Sequence, residues 1–111
     1  MANIDLTIED YKFLNSYEGY SVGLNTAVLN YKDTLKQVSN FSKQLKMAKA
    51  VIIEISVNGK TSTMTFYKLI EEVNKFVHDD CNIILGSKID NNLKIDELQI
   101  SMLIGGLKEM C

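Results

Sequence analysis

The chain is 111 residues long, enough for one hydrophobic core and too short for two, so a single domain over residues 1–111 is expected. Apolar residues make up 46% and charged residues 23%, the balance of an ordinary globular domain. The net charge of −2 and a pI near 5.3 exclude the basic footprint of a nucleic-acid binder, and all twelve cationic residues are lysine, so the side chain best suited to bidentate phosphate binding is missing.

In chain order, Thr7 to Tyr17 is predicted as a short helix, with Thr7 as its N-cap and Glu9 and Asp10 in the first turn, where acids suit the helix dipole. Tyr11, Leu14 and either Tyr17 or Phe13 give it one apolar side, and Gly19 ends it. Tyr20 to Leu24 reads as a short strand. A second helix is predicted from Lys32 to Met47, where Leu35, Val38, Phe41 or Ser42, and Leu45 keep helical spacing, with Asn25 or Asn30 as its cap. Ala50 to Val57 is a dense β-branched run closed by Asn58-Gly59, which predicts a strand buried on both faces, with Glu54 near an edge or the solvent.

Thr65 to Val77 carries the plainest helical period: Phe66, Leu69, Ile70, Val73, Phe76 and Val77 oppose Glu71, Glu72, Asn74 and Lys75. Strands follow at Asn82–Leu85 and Glu97–Ile104. The second of these alternates Leu98, Ile100, Met102 and Ile104 against Gln99, Ser101 and Leu103. Strand, helix and strand from Ala50 to Leu85 make a β-α-β unit with a right-handed crossover and a parallel pair. The predicted fold class is therefore α/β, an α+β two-layer sandwich: a four-stranded mixed sheet, two packed helices and a leading helix at one side.

Few residues suggest chemistry. Cys81 and Cys111 are too few for a disulfide framework and read as free thiols in a reducing cytoplasm. His78, in His78-Asp79-Asp80-Cys81, reads as a solvated helix end rather than a metal site. Asn58-Gly59-Lys60-Thr61 is superficially like the end of a Walker A loop, but its upstream glycine is missing and the following helix starts too late. The remaining acids, Asp79, Asp80, Asp90, Asp96 and Glu97, fall on turns without a His or Cys pair nearby in sequence. The N-terminus, Met1 to Asp5, has neither a basic region nor an apolar stretch, and no apolar run is long enough to span a bilayer, so a cytoplasmic chain without membrane insertion is expected.

Two apolar runs ending in glycine, Cys81-Asn82-Ile83-Ile84-Leu85-Gly86-Ser87-Lys88-Ile89-Asp90 and Glu97-Leu98-Gln99-Ile100-Ser101-Met102-Leu103-Ile104-Gly105-Gly106, are joined by an acidic, Asn-rich connector. This layout resembles the end of the C-terminal domain of FtsZ, the bacterial relative of tubulin, written N-I-I-x-G-x-x-I-D and then D-E-[IL]-x-[IV]-x-[VL]-I-x-G. Met47 to Ser56 is similar to the family strand A-x-G-V-L-V-N-I-T, and Met64 to Val73 to the helix that follows it. At the front, Asn3-Ile4-Asp5 resembles the start of the family loop N-x-D-x-x-D, with Asp10 as the second acid. Four residues separate the two acids here rather than two, and Asp10 equally fits a plain helix-start acid.

The resemblance implies a domain without the GTP-binding half: the tubulin-type loop G-G-G-T-G-[ST]-G is nowhere in these residues. It implies longitudinal contacts in a filament, through Asn3, Asp5 and Asp10, with an FtsZ/tubulin-like subunit or with the chain itself as a homo-oligomer. In the family, such carboxylates enter a neighbour's GTP site and orient the attacking water. Asp5 and Asp10 would then act in trans, with no cofactor, no metal and no enzymatic activity in this chain alone. Two alternatives remain: a stand-alone regulator that caps FtsZ-like filaments, and a small oligomeric α/β enzyme with a site between subunits.

Overall fold

The β-branched run Ala50–Val57 forms a strand with the predicted boundaries, because Val51, Ile53, Ile55 and Val57 on one face and Ala50 and Ile52 on the other are all buried. The computed structural model describes residues 4–108 and orders the elements as α1 (Ile8–Asn15), β1 (Tyr20–Asn25), α2 (Tyr31–Ser39), α3 (Ser42–Met47), β2 (Ala50–Val57), α4 (Thr63–Asn74), β3 (Asn82–Ile89) and β4 (Leu98–Leu107). The strands form one mixed sheet in the order β1-β4-β2-β3. β2 and β3 are parallel, with Ala50 opposite Asn82, and β4 runs antiparallel to both β2 and β1.

The main core lies on one face of this sheet. Val51, Ile53, Ile55 and Val57 of β2 stand beside Ile104, Met102, Ile100 and Leu98 of β4, and Val38, Leu45, Phe66, Leu69 and Val73 from the three later helices cover them. Each such side chain contributes about 1.5–3 kcal/mol by leaving water. The opposite face holds a smaller cluster, in which Leu14 of α1 packs on Ala50 and Ile52, flanked by Leu6, Tyr17, Ile84 and Leu103. Beyond Leu14 that face turns polar, with Asn25, Ser101 and Glu54 in one row. Glu54 therefore lies on an interior strand at a partly exposed position, and not at a sheet edge.

Several boundaries differ from the sequence expectation, and the larger differences have local reasons. The predicted helix Lys32–Met47 is two helices, so three helices rather than two cover the main core. The break follows Val38-Ser39-Asn40, residues of low helix propensity, where the Ser39 hydroxyl donates back to the Lys36 carbonyl at 2.6 Å. Of the two candidate caps for α2, the structure selects Asn30, whose side chain accepts from the Asp33 N–H at 2.8 Å.

α4 begins two residues earlier than predicted because Ser62 caps it, accepting from the Met64 N–H at 3.1 Å. It ends at Asn74, and Lys75, Phe76 and Val77 follow in tightened turns bonded to the third residue back.

β3 and β4 both continue past the glycines that were expected to end them. Gly86 sits under Leu6, where a Cβ would come within 2.7 Å of Leu6 Cγ. In β4, Gly105 and Gly106 together oppose the single residue Ser21, as the register shift from Tyr20–Leu107 to Val22–Ile104 requires. This is a β-bulge, and Gly106 adopts its left-handed conformation at φ 72°.

Candidate functional site

The leading segment is fixed at the β3 edge before α1 begins. Ile4 and Ser87 exchange two backbone hydrogen bonds of 3.0 Å, and the Ile4 N–H also lies 3.1 Å from the Ser87 hydroxyl. Leu6 then turns inward over Gly86, which leaves Asp5 exposed between two anchored residues. Asn3 lies outside the described residues.

Asp10 sits in the first turn of α1, and its carboxylate accepts from the Thr7 N–H at 2.9 Å and the Thr7 hydroxyl at 3.3 Å. This is the acid half of a capping box, with Thr7 as N-cap. The family-derived acids therefore lie close along the same loop and helix start but differ in setting: Asp5 is exposed on the loop, and Asp10 holds the helix start.

Register locates this loop in the molecule. Val57 at the end of β2 stands beside both Ile89, at the end of β3, and Leu98, at the start of β4. Ile4 pairs two residues from the end of β3, and α4 starts six residues after β2. One end of the sheet thus collects the acidic loop, the start of α1, the start of α4, and the connectors 26–30 and 90–97. Large apolar side chains stand exposed there: Ile8 at 70%, Met64 at 67% and Ile95 at 58%, with Ile4 and Val28 also exposed. The sequence reading missed this set. Its one usable signal was that Ile8 and Leu14 lie about 120° apart around a short helix, so a narrow core-facing stripe centred on Leu14 leaves Ile8 outside it.

The turn Asn58–Thr61, Asp90, Glu97 and His78 have structural partners. The turn Asn58–Thr61 faces inward: Gly59 N–H donates to Asn91 Oδ1 at 2.9 Å, Lys60 N–H to Asn58 Oδ1 at 2.8 Å, and Thr61 N–H to the Asn58 carbonyl at 2.9 Å. Asn58 Nδ2 also donates to the Leu93 carbonyl at 2.8 Å, so the turn clamps the connector 90–97. Amides used in this way do not form a phosphate cradle. Two of the connector's acids cap their own turns: Asp90 accepts from the Asn92 N–H at 3.0 Å and Glu97 from the Lys94 N–H at 2.7 Å.

His78 Nδ1 accepts from the Asp80 N–H at 3.0 Å, in the turn that leads from α4 into β3. Burial pushes the Cys81 thiol up to about 11, so it is protonated and unreactive at neutral pH. Cys111 lies outside the described residues. Among the described residues no group of three or more His, Cys, Asp or Glu is placed to hold a metal ion, and no helix is long and apolar enough to cross a membrane.

The family model for the C-terminal domain of the FtsZ family matches residues 19–108. The chain belongs to the FtsZ family. It is the C-terminal domain of this tubulin-related family of cell-division cytoskeletal proteins, and its mixed sheet with helices is that domain's fold. An empty FtsZ dimer from M. jannaschii matches at a TM-score of 0.68 and 18% identity, over 96% of this chain and 32% of that one. A point mutant of FtsZ from the same organism matches at a TM-score of 0.70 and 16% identity, over 97% of this chain and 33% of that one. The chain thus spans about a third of the FtsZ chains it resembles, with α1 inside the structural match and before the family match. No curated protein matches the chain significantly.

Proposed function

We propose that this FtsZ-family domain makes the longitudinal contact of an FtsZ-like filament through its acidic-loop end, presenting Asn3, Asp5 and Asp10 to the GTP-bearing face of a neighbouring subunit. The observation that carries this reading is the coincidence, at one end of the sheet, of an anchored acidic loop with exposed Ile8, Met64 and Ile95. Exposed apolar residues around fixed polar ones are the composition of a protein interface. In this reading Asp5, exposed on the loop, is the acid that orients a water at the neighbour's γ-phosphate. Asp10 stiffens the loop by capping α1 and contributes its charge to the same electrostatic field. GTP is the neighbour's ligand in this reading, and the chain supplies no phosphate site of its own. Presented alone, the domain occupies a filament end and blocks further growth there.

The test mixes the chain in excess with an intact, polymerising FtsZ-like GTPase and follows pelleted polymer and phosphate release. Polymer mass is expected to fall as the chain is added. Burying Ile8 at the contact is worth about 1.5–2 kcal/mol, so Ile8→Lys should weaken the effect by about tenfold or more. Asp5→Ala should spare binding more than hydrolysis. Unchanged polymer mass and unchanged phosphate release under excess chain would overturn the reading.

A further inference from the structure

The two edges of the sheet are unequal. On the β3 side, the chain lays its own Ile4 against Ser87, and Lys88 adds a charge beside it. On the β1 side, no charged residue occurs from Tyr20 through Tyr31, and there is no proline or inward-pointing lysine of the kind that guards natural edges.

The backbone direction along β1 follows from its pairing. Thr26 N–H donates to the Ile100 carbonyl at 2.9 Å, and residues 22 and 24 share the parity of residue 26. Gly23 and Asn25, opposite Leu103 and Ser101, are therefore the non-hydrogen-bonded positions, and their N–H and C=O groups point away from the sheet. The next outward amide, Ala27, is already taken by Gln37 Oε1 at 3.2 Å, so the open stretch is Ser21 to Asn25. The bulge that kinks this strand pair has its extra residue in β4, so the free edge of β1 is not itself interrupted. A Cβ built on Gly23 meets nothing within 4 Å.

We propose that β1 is a self-pairing edge, joining a second copy of the chain in an antiparallel, two-fold ladder centred on Gly23. The choice of a second copy rests on self-complementarity. With Gly23 on the axis, Ser21 pairs with Asn25 of the other copy, both through outward backbone groups. On the core side of the sheet, Val22 meets Leu24 of the other copy, and both residues are already half-buried against the main core. Polar falls on polar and apolar on apolar, each contact occurs twice, and no like charges meet, as an isologous interface requires. The result is one sheet of eight strands spanning two copies. A ladder of this length belongs with weak, transient interfaces of under about 1,200 Å², so association rises with concentration.

The chain is followed by sedimentation velocity over a concentration series, with amide exchange read at Gly23 and Asn25. The weight-average mass is expected to climb toward the dimer, with those two amides gaining protection as it does. Gly23→Lys fits the open space but sets two ammonium groups against each other across the axis, and should hold the chain monomeric. Gly23→Thr places two β-branched side chains there and should shift the dimer to lower concentration. Ile8→Lys, at the acidic-loop end, should leave the series unchanged, which separates this edge from the filament contact. A chain that stays monomeric at every concentration, or a Gly23→Lys variant that dimerises like the parent, would overturn the proposal.

Discussion

Leu14 pins α1 to the sheet, and paired replacements of Leu14 and Gly105 measure how. Leu14 is 1% exposed, and the slot it fills exists because position 105 has no side chain: a Cβ there would lie 2.6 Å from Leu14 Cδ2 and 2.8 Å from Leu14 Cγ. Leu14→Ala removes an isopropyl group, about 2.4 kcal/mol of transfer free energy at about 0.8 kcal/mol per carbon. The void adds to this, but the surrounding cluster is small and bordered by partly buried residues that can relax, so the total falls near the low end of the Leu→Ala range, about 2.5–3 kcal/mol. Gly105→Ala alone overpacks the same slot, at about 1–3 kcal/mol. In the double variant the added methyl group occupies space that Leu14 has left, so the loss stays near 2.5–3 kcal/mol and falls short of the summed singles by at least about 1 kcal/mol. Urea unfolding of the parent, both singles and the double gives this coupling directly. An eight-residue helix is unstable alone, so Leu14→Ala should also speed amide exchange in α1 well before exchange in β2. Additivity within about 0.5 kcal/mol, or loss of protection in α1 and β2 together, would refute the assignment.

Three further outcomes are expected. Asp10→Ala should lower the unfolding free energy by about 0.5–1 kcal/mol through loss of its bond to the Thr7 N–H, while exposed Asp5→Ala should stay within about ±0.5 kcal/mol, both read by urea unfolding. Asn58→Ala severs the bonds to Leu93 and Lys60, should cost about 1–3 kcal/mol, and should raise amide exchange across residues 90–97. Cys81 has its thiol pushed up from 9.0 to about 11, so the folded chain keeps a proton that the unfolded chain releases in that window. Its contribution to stability is complete below pH 9 and is lost as pH rises through 11, and Cys81→Ser should remove that part of the stability–pH profile.

The parts of the fold legible in the sequence are those where one physical term dominates. β2 is buried on both faces, so its run of Val and Ile marks both of its ends. α4 and β4 each have a fully buried face, and period alone places Phe66, Leu69, Val73, Ile100 and Ile104 in the core. Legibility fails where two terms compete. Glycine usually ends a strand, yet Gly86 and Gly105 lie inside strands because Leu6 and Leu14 need the space a side chain would fill. Those contacts join residues about 80 to 90 positions apart, beyond the reach of any local pattern. The break between α2 and α3 is the opposite case: Leu35, Val38, Phe41 and Leu45 keep helical spacing across it, and only the polar run before Phe41 hints at the bend.

At the candidate site, the same limit separates a residue's type from its task. Sequence could name Asp5 and Asp10 as a pair, because spacing along the chain is all that a motif records. It could not separate them, because the distinction is made by Thr7, whose N–H takes the Asp10 carboxylate, and by Ile4 and Leu6, whose anchoring leaves Asp5 outward. That division also fits the extra residues between the two acids. They provide the turn that lets Asp10 reach back to Thr7, so the longer spacing gives the loop a capped helix behind it and leaves the exposed charge to Asp5. If Asp5 meets a neighbour as proposed, the two acids respond differently to removal: loss of Asp10 shows in the unfolding free energy of the isolated chain, and loss of Asp5 only in the presence of the partner.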